Sequence, residues 1–161
     1  MRGKRILGID PGSGKLGLGL IEVTSGKPRL MHYDCIETTP NSPEGQKLSF
    51  IYYEMVKRFD KIKPDLIAIE MIFFANNAKT AFAVGQARGV VLLAAQQANI
   101  EIAEIAPLRL KKVLLGNGQA KKKDVQNFVR HYFDIDQKKK LGDDAADAVA
   151  IALSQVFLLS T

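Results

Sequence analysis

The sequence predicts an α/β fold in which an antiparallel meander leads into helix-connected parallel strands. Three observations carry this. An apolar run near the start, Arg5-Ile6-Leu7-Gly8-Ile9-Asp10, meets the turn residues Pro11-Gly12-Ser13-Gly14. Leu16-Gly17-Leu18-Gly19-Leu20-Ile21-Glu22-Val23 then alternates with the period of a strand. Finally, a second buried run, Leu66-Ile67-Ala68-Ile69-Glu70, follows a stretch of helical spacing. A strand reached through a helix pairs parallel to the first.

The elements follow in order. The first strand, 5–10, ends on a carboxylate. In the second, 16–23, Gly17 and Gly19 leave one face bare, so a backbone or a ligand can come close. Ser25-Gly26-Lys27-Pro28 reads as a turn and Arg29 to Thr38 as the third strand of the meander. Thr39-Pro40-Asn41-Ser42-Pro43 is a loop ending in a helix start, Ser42 before Pro43. Leu48, Ile51, Tyr52, Met55, Phe59 and Ile62 form one apolar stripe, and Lys63-Pro64-Asp65 stops that helix. After the fourth strand, 66–70, the stretch Met71 to Asn77 reads as a loop carrying Phe73 and Phe74. Asn77 can cap a helix over 78–98. That helix is apolar nearly all round, so it is either the central helix of the core or also a subunit interface. Residues 100–106 read as a fifth strand, and Pro107 starts a short helix to Leu115. Gly116-Asn117-Gly118 breaks the chain. The next helix turns Val125, Phe128, Val129, Tyr132 and Phe133 inward. Gln119 is a weak cap for it, and the run Lys121-Lys122-Lys123 opposes its dipole. A phosphate bound at that end accounts for both. The last helix opens at Gly142-Asp143-Asp144-Ala145-Ala146-Asp147 and stays apolar from Val149 to Leu159.

At 161 residues and 47% hydrophobic, with no repeat or linker, residues 1–161 are expected to form one domain. One cysteine, Cys35, excludes an intrachain disulfide and a multi-cysteine metal site. The start carries no apolar signal segment, and no apolar run reaches the roughly 18 residues that span a bilayer. A cytoplasmic protein without membrane partners is expected. The net charge is +6. Residues 105–140 hold ten basic and three acidic side chains, an excess of +7, so the remainder carries −1. A focused basic segment on a near-neutral body is the footprint of a polyanion binder.

Four acidic residues define the candidate site. Asp10 and Glu70 each end a buried strand, and adjacent parallel strands would bring both to one sheet edge. Asp144 and Asp147 are i, i+3 on one helix face. Asp143 and Asp147, at i, i+4, also share a face, so spacing leaves Asp143 and Asp144 both open. Converging carboxylates repel and resist ionisation. A divalent cation removes that difficulty, and oxygen ligands without His or Cys suit Mg²⁺ or Mn²⁺. Two such ions about 4 Å apart can clamp a phosphodiester. An acidic metal site beside a basic surface is the pairing expected of a nuclease.

The chain resembles the RuvC family of Holliday junction resolvases, within the ribonuclease H-like superfamily. The resemblance rests on Gly8-Ile9-Asp10-Pro11-Gly12, Ile69-Glu70, the loop with Phe73, Gly85-Gln86-Ala87-Arg88-Gly89 and Asp144-Ala145-Ala146-Asp147, in matching order over almost the full length. It implies a five-stranded mixed sheet of order 3-2-1-4-5 flanked by helices. It implies that Asp10, Glu70, Asp144 and Asp147 hold the metal, two Mg²⁺ during catalysis with Mn²⁺ as a substitute. The motif register favours Asp144 over Asp143. Lys111 and Lys122 match basic positions near the scissile phosphate, with Lys112, Lys121 and Lys123 as neighbours of like charge. Phe73 matches an aromatic that stacks on a base at the junction crossover. The implied partners are a four-way DNA junction, a second copy of the chain in a homodimer, and the RuvAB branch-migration complex. Other classes compatible with parts of the pattern are an actin-like phosphotransferase, a related nuclease with another structured substrate, and a non-catalytic junction binder. An actin-like enzyme needs two such domains, and no acidic ligand is missing.

Overall fold

A computed structural model describes residues 2–12, 14–72, 78–136 and 141–160. Its sheet has five strands in the order β3-β2-β1-β4-β5. β1 (Lys4–Pro11), β2 (Lys15–Thr24) and β3 (Lys27–Glu37) pair antiparallel. α1 (Glu44–Ile62) carries the chain back across the sheet, so β4 (Leu66–Glu70) enters beside β1 and parallel to it. α2 (Ala78–Gln97) does the same for β5 (Glu101–Ile105). α3 (Pro107–Leu115), α4 (Lys122–Tyr132) and α5 (Asp143–Leu159) complete the element order. The mixed sheet and its strand order agree with the expectation.

Alternation along β1 divides the core in two. Ile6 packs in a cluster with Leu110, Val125 and Val149, from α3, α4 and α5. Leu7 and Ile9 pack on the other side with Ile51, Met55 and Phe59 of α1 and Ala87 and Val91 of α2. Helices cover both faces, which is why β1 and β4 read as unbroken apolar runs. By the same alternation, Gly8 and Asp10 lie on the α5 face, as do Ala68 and Glu70 of β4.

The bare glycine face predicted for β2 is filled by α5. A Cβ on Gly8 would strike the carbonyl oxygen of Ala148, and one on Gly17 that of Asp144. One on Gly19 would stand 2.6 Å from the Val149 amide nitrogen. With no side chains there, the helix backbone rests on the sheet. Residues 148–153 of α5 are each at most 1% exposed. The central helix is therefore α5. α2 buries Ala87, Val91, Ala94 and Ala95 on one side, but leaves Phe82 68% and Leu93 53% exposed on the other. Of the two roles open to it, the central one falls to α5, because only α5 meets a face stripped of side chains.

Several boundaries shift by a residue or two from expectation, and three of the shifts have a physical reason. β3 begins at Lys27, with Pro28 opposite Val23; β3 is an edge strand, where proline is tolerated. α1 has Pro43 at its N-cap position with no side-chain cap, so Ser42 does not serve. The N-cap of α4 is Lys121, not Gln119, and Asp124 Oδ2 accepts the Lys121 amide at 2.9 Å. That acid, three residues into the helix, supplies the acceptor that a lysine side chain lacks. Asn77 lies outside the described residues. Among the described residues no helix is long and apolar enough to cross a membrane.

Candidate active site

Two parallel strands present the first two carboxylates. The register places Ile9 opposite Ile69, so Asp10 and Glu70 follow at the same edge, on the α5 face. Asp10 pairs across β1–β2 with Gly17, over which the Asp144 carbonyl sits. The first turn of α5 is thereby fixed above Asp10, and Asp147 follows one turn later. Asp10, Glu70 and Asp147 line one cavity of about 320 Å³, together with Lys111, Lys122 and the apolar side chains of Leu110 and Ile151.

The remaining predicted residues fall in different places. Asp144 is half-buried and does not line this cavity, but its charge acts on Asp10. Asp143 is exposed, and its charge acts on Lys122 and Asp147. The two aspartates left open by spacing thus face different neighbours. Lys112, Lys121 and Lys123 are exposed and outside the lining. Phe73 and Phe74 lie outside the described residues.

The carboxylates resist ionisation as the pattern predicts. Burial, then the charges of Asp147, Glu70 and Asp144, push Asp10 from 3.8 up to about 7. Burial and Asp147 raise Glu70, against opposition from Lys111 and Lys122. Asp147 is also raised by burial, although its bonds to Lys122 and Gln126 pull the other way. Lys122 Nζ stands 2.6 Å from Asp147 Oδ2. Gln126 Nε2 donates to Asp147 Oδ1 at 3.4 Å.

A hard divalent cation fits this donor set. The lining offers carboxylate oxygens and neither His nor Cys. Three acids face two ammoniums, and burial, then the neighbouring acids, raises the Asp10 carboxyl to about 7. As the side chains stand, no three His, Cys, Asp or Glu groups among the described residues are close enough to grip one ion. The cation that Asp147 meets in the structure is the Lys122 ammonium.

Two contacts to the site were not legible in the sequence. Arg88 Nε donates to the Glu70 backbone carbonyl at 3.3 Å, and its guanidinium pairs with Glu104 of β5. It pins the end of β4. The signal was a lone arginine in an apolar helix, inside the Gly85–Gly89 motif. Gln126 sits one turn after Lys122 on α4, and nothing but that spacing pointed to it.

A mixed sheet of this order, with carboxylates at the ends of β1 and β4 and on the covering helix, defines a ribonuclease H-like fold. Residues 6–155 match the family model described as crossover junction endodeoxyribonuclease RuvC. A crossover junction endodeoxyribonuclease RuvC of Moorella thermoacetica is 42% identical over 148 residues, 92% of this chain and 88% of that protein. The Thermus thermophilus RuvC structure superposes with a TM-score of 0.87 at 32% identity, covering 97% of this chain and 95% of that one. A second structure of that protein, in complex with a Holliday junction substrate, gives 0.85 at 30% identity over the same shares. The chain belongs to the RuvC family.

Proposed function

We propose that this chain is a structure-selective endodeoxyribonuclease that resolves Holliday junctions in DNA recombination and repair. It hydrolyses phosphodiesters at symmetric positions in two strands. The observation that carries the site assignment is the convergence of Asp10, Glu70 and Asp147 on one lysine-flanked cavity, where burial and neighbouring acids raise the Asp10 carboxyl to about 7. A carboxylate cluster that costly to ionise calls for a cation.

Asp10, Glu70, Asp144 and Asp147 would hold the metal. RuvC nucleases are metal-dependent; Mg²⁺ is the ion proposed here, two per site, with Mn²⁺ as a substitute. When bound, the ions stabilise charge on the scissile phosphate and lower the pKa of a water. The chain supplies the rest. The β1–β4 pairing fixes Asp10 and Glu70, and the glycine face fixes α5 with Asp144 and Asp147. Lys111 and Lys122, on the cavity wall, place ammonium groups where a phosphate would enter. Lys112, Lys121 and Lys123 extend the basic surface along a DNA backbone, an interaction that weakens with salt. Phe73 is assigned to stacking at the crossover on its motif position alone.

Residues 1–161 are read as one nuclease domain, supported by one sheet with a core on each face. A homodimer is supported by the apolar side of α2 at Phe82 and Leu93, and it would present two sites to the two strands. Cooperation with RuvAB and a cytoplasmic location complete this reading; family membership supports the first, and the single cysteine suits the second.

The test is incubation with a synthetic four-way junction and a linear duplex in Mg²⁺. Paired nicks in strands of like polarity, sealable by ligase, are expected in the junction alone. Equal cutting of both substrates would overturn the resolvase assignment.

A further inference from the structure

α4 holds both oxygens of one acidic side chain. Lys122 takes Asp147 Oδ2 at 2.6 Å, and Gln126, one turn later on the same face, takes Oδ1 at 3.4 Å. The two partners differ in what they can do when a cation enters. An ammonium at 2.6 Å occupies the carboxylate oxygen that a cation would need, and like charges cannot share it. The Lys122 side chain is 60% exposed, so solvent lies on its outer side. Gln126 is half-buried, and a neutral amide has no quarrel with a cation on the opposite oxygen.

We infer that Gln126 is a positioning residue for Asp147, one that keeps Oδ2 turned into the cavity while Lys122 releases it to a divalent cation. This rests on the metal-site assignment proposed above. A carboxylate free to rotate must be ordered each time a cation binds, and a second hydrogen bond removes that cost. Because Gln126 and the Lys121-Lys122-Lys123 run share α4, DNA phosphates that draw Lys122 away also uncover an oxygen that Gln126 holds in place. Junction binding and cation binding then assist one another, and that coupling is reciprocal.

The experiment is calorimetric titration of the full-length protein with Mg²⁺, without DNA and with a saturating four-way junction. Ca²⁺ replaces Mg²⁺ in the second arm to prevent turnover, after a Ca²⁺ titration without DNA as reference. The variants are Gln126→Leu, Gln126→Met and, as control, Asp147→Asn. Both Gln126 variants are expected to bind Mg²⁺ roughly 10-fold more weakly and to lose most of the tightening that the junction confers. Junction affinity in EDTA should stay at the parental value, because no charge is removed. Two variants of different shape guard against a packing defect, and melting in EDTA reports whether each is folded. Parental Mg²⁺ affinity in a folded Gln126 variant overturns the inference, provided Asp147→Asn weakens it. If Asp147→Asn also binds as the parent does, the metal-site assignment itself fails.

Discussion

The Asp144 carbonyl of α5 fills the space that a side chain at Gly17 would need. Gly17 in turn faces Asp10 across the β1–β2 pair. One missing Cβ thus sets how near the helix that carries Asp144 and Asp147 comes to the strand that carries Asp10. Gly17→Ala is expected to lift the first turn of α5. It should destabilise the protein by roughly 1–3 kcal/mol, the usual range for overpacking, and depress junction cleavage beyond what the lost folded fraction explains. Gly45→Ala is the control, since a Cβ there meets nothing within 4 Å. Chemical denaturation and single-turnover cleavage at saturating enzyme check both.

Asp10 gives a prediction about pH in metal-free protein. Its carboxyl binds a proton more tightly in the folded chain, at about 7 against 3.8. Folding is therefore favoured by this group below about pH 4, and that contribution is lost as the pH rises through about 7. A three-unit difference corresponds to at most about 4 kcal/mol. In EDTA the parent should thus lose melting temperature between pH 5 and pH 8 more steeply than Asp10→Asn, which should be the more stable protein at pH 8. Mg²⁺ should raise the parental melting temperature and flatten its pH dependence. Identical pH profiles for parent and variant in EDTA would contradict this account of Asp10.

Asp143 and Asp144 separate by neighbour. Asp144 is half-buried and acts on Asp10, while exposed Asp143 acts on Lys122. Asp144→Asn is expected to lower cleavage on the order of 10-fold or more, and Asp143→Asn to leave it near the parental rate. The opposite order, read from initial rates across a Mg²⁺ titration, would move the ligand to Asp143.

The lysines divide between cavity and surface. Lys122→Gln should reduce single-turnover cleavage by roughly 100-fold, the range for losing one group that meets transition-state charge. Lys112→Gln should leave the cleavage step almost unchanged. Each should flatten the dependence of log junction affinity on log salt by about one unit if each meets one phosphate. Filter binding across a salt series, beside rapid-quench cleavage, distinguishes the two roles.

Much of this was legible in residue order. Apolar runs ending in Asp10 and Glu70, with a helix between them, dictate parallel strands and a shared edge. The bareness of Gly17 and Gly19 was equally plain, but not its occupant. Residues 78–98 and 149–159 are both largely apolar, and only three-dimensional fit decides which helix rests on glycines. The ion pair between Lys122 and Asp147, the Gln126 bond and the Arg88 clamp on Glu70 depend on α4 and α2 meeting distant elements. Local periodicity carries no such information. Helix starts were misplaced for a simpler reason. Pro43 offers α1 no side-chain cap, and in α4 the acid at the third position, Asp124, accepts the Lys121 amide in place of a capping residue.

The most direct test of the site is Asp10→Asn on a four-way junction in Mg²⁺, with binding and cleavage measured on the same preparation. In EDTA the variant should bind the junction at least as tightly as the parent, because the substitution removes no positive charge from the DNA-facing cavity. In Mg²⁺ it should cut it at least roughly 1,000-fold more slowly. An Asp10→Asn protein that cleaves at the parental rate would contradict the account at its centre.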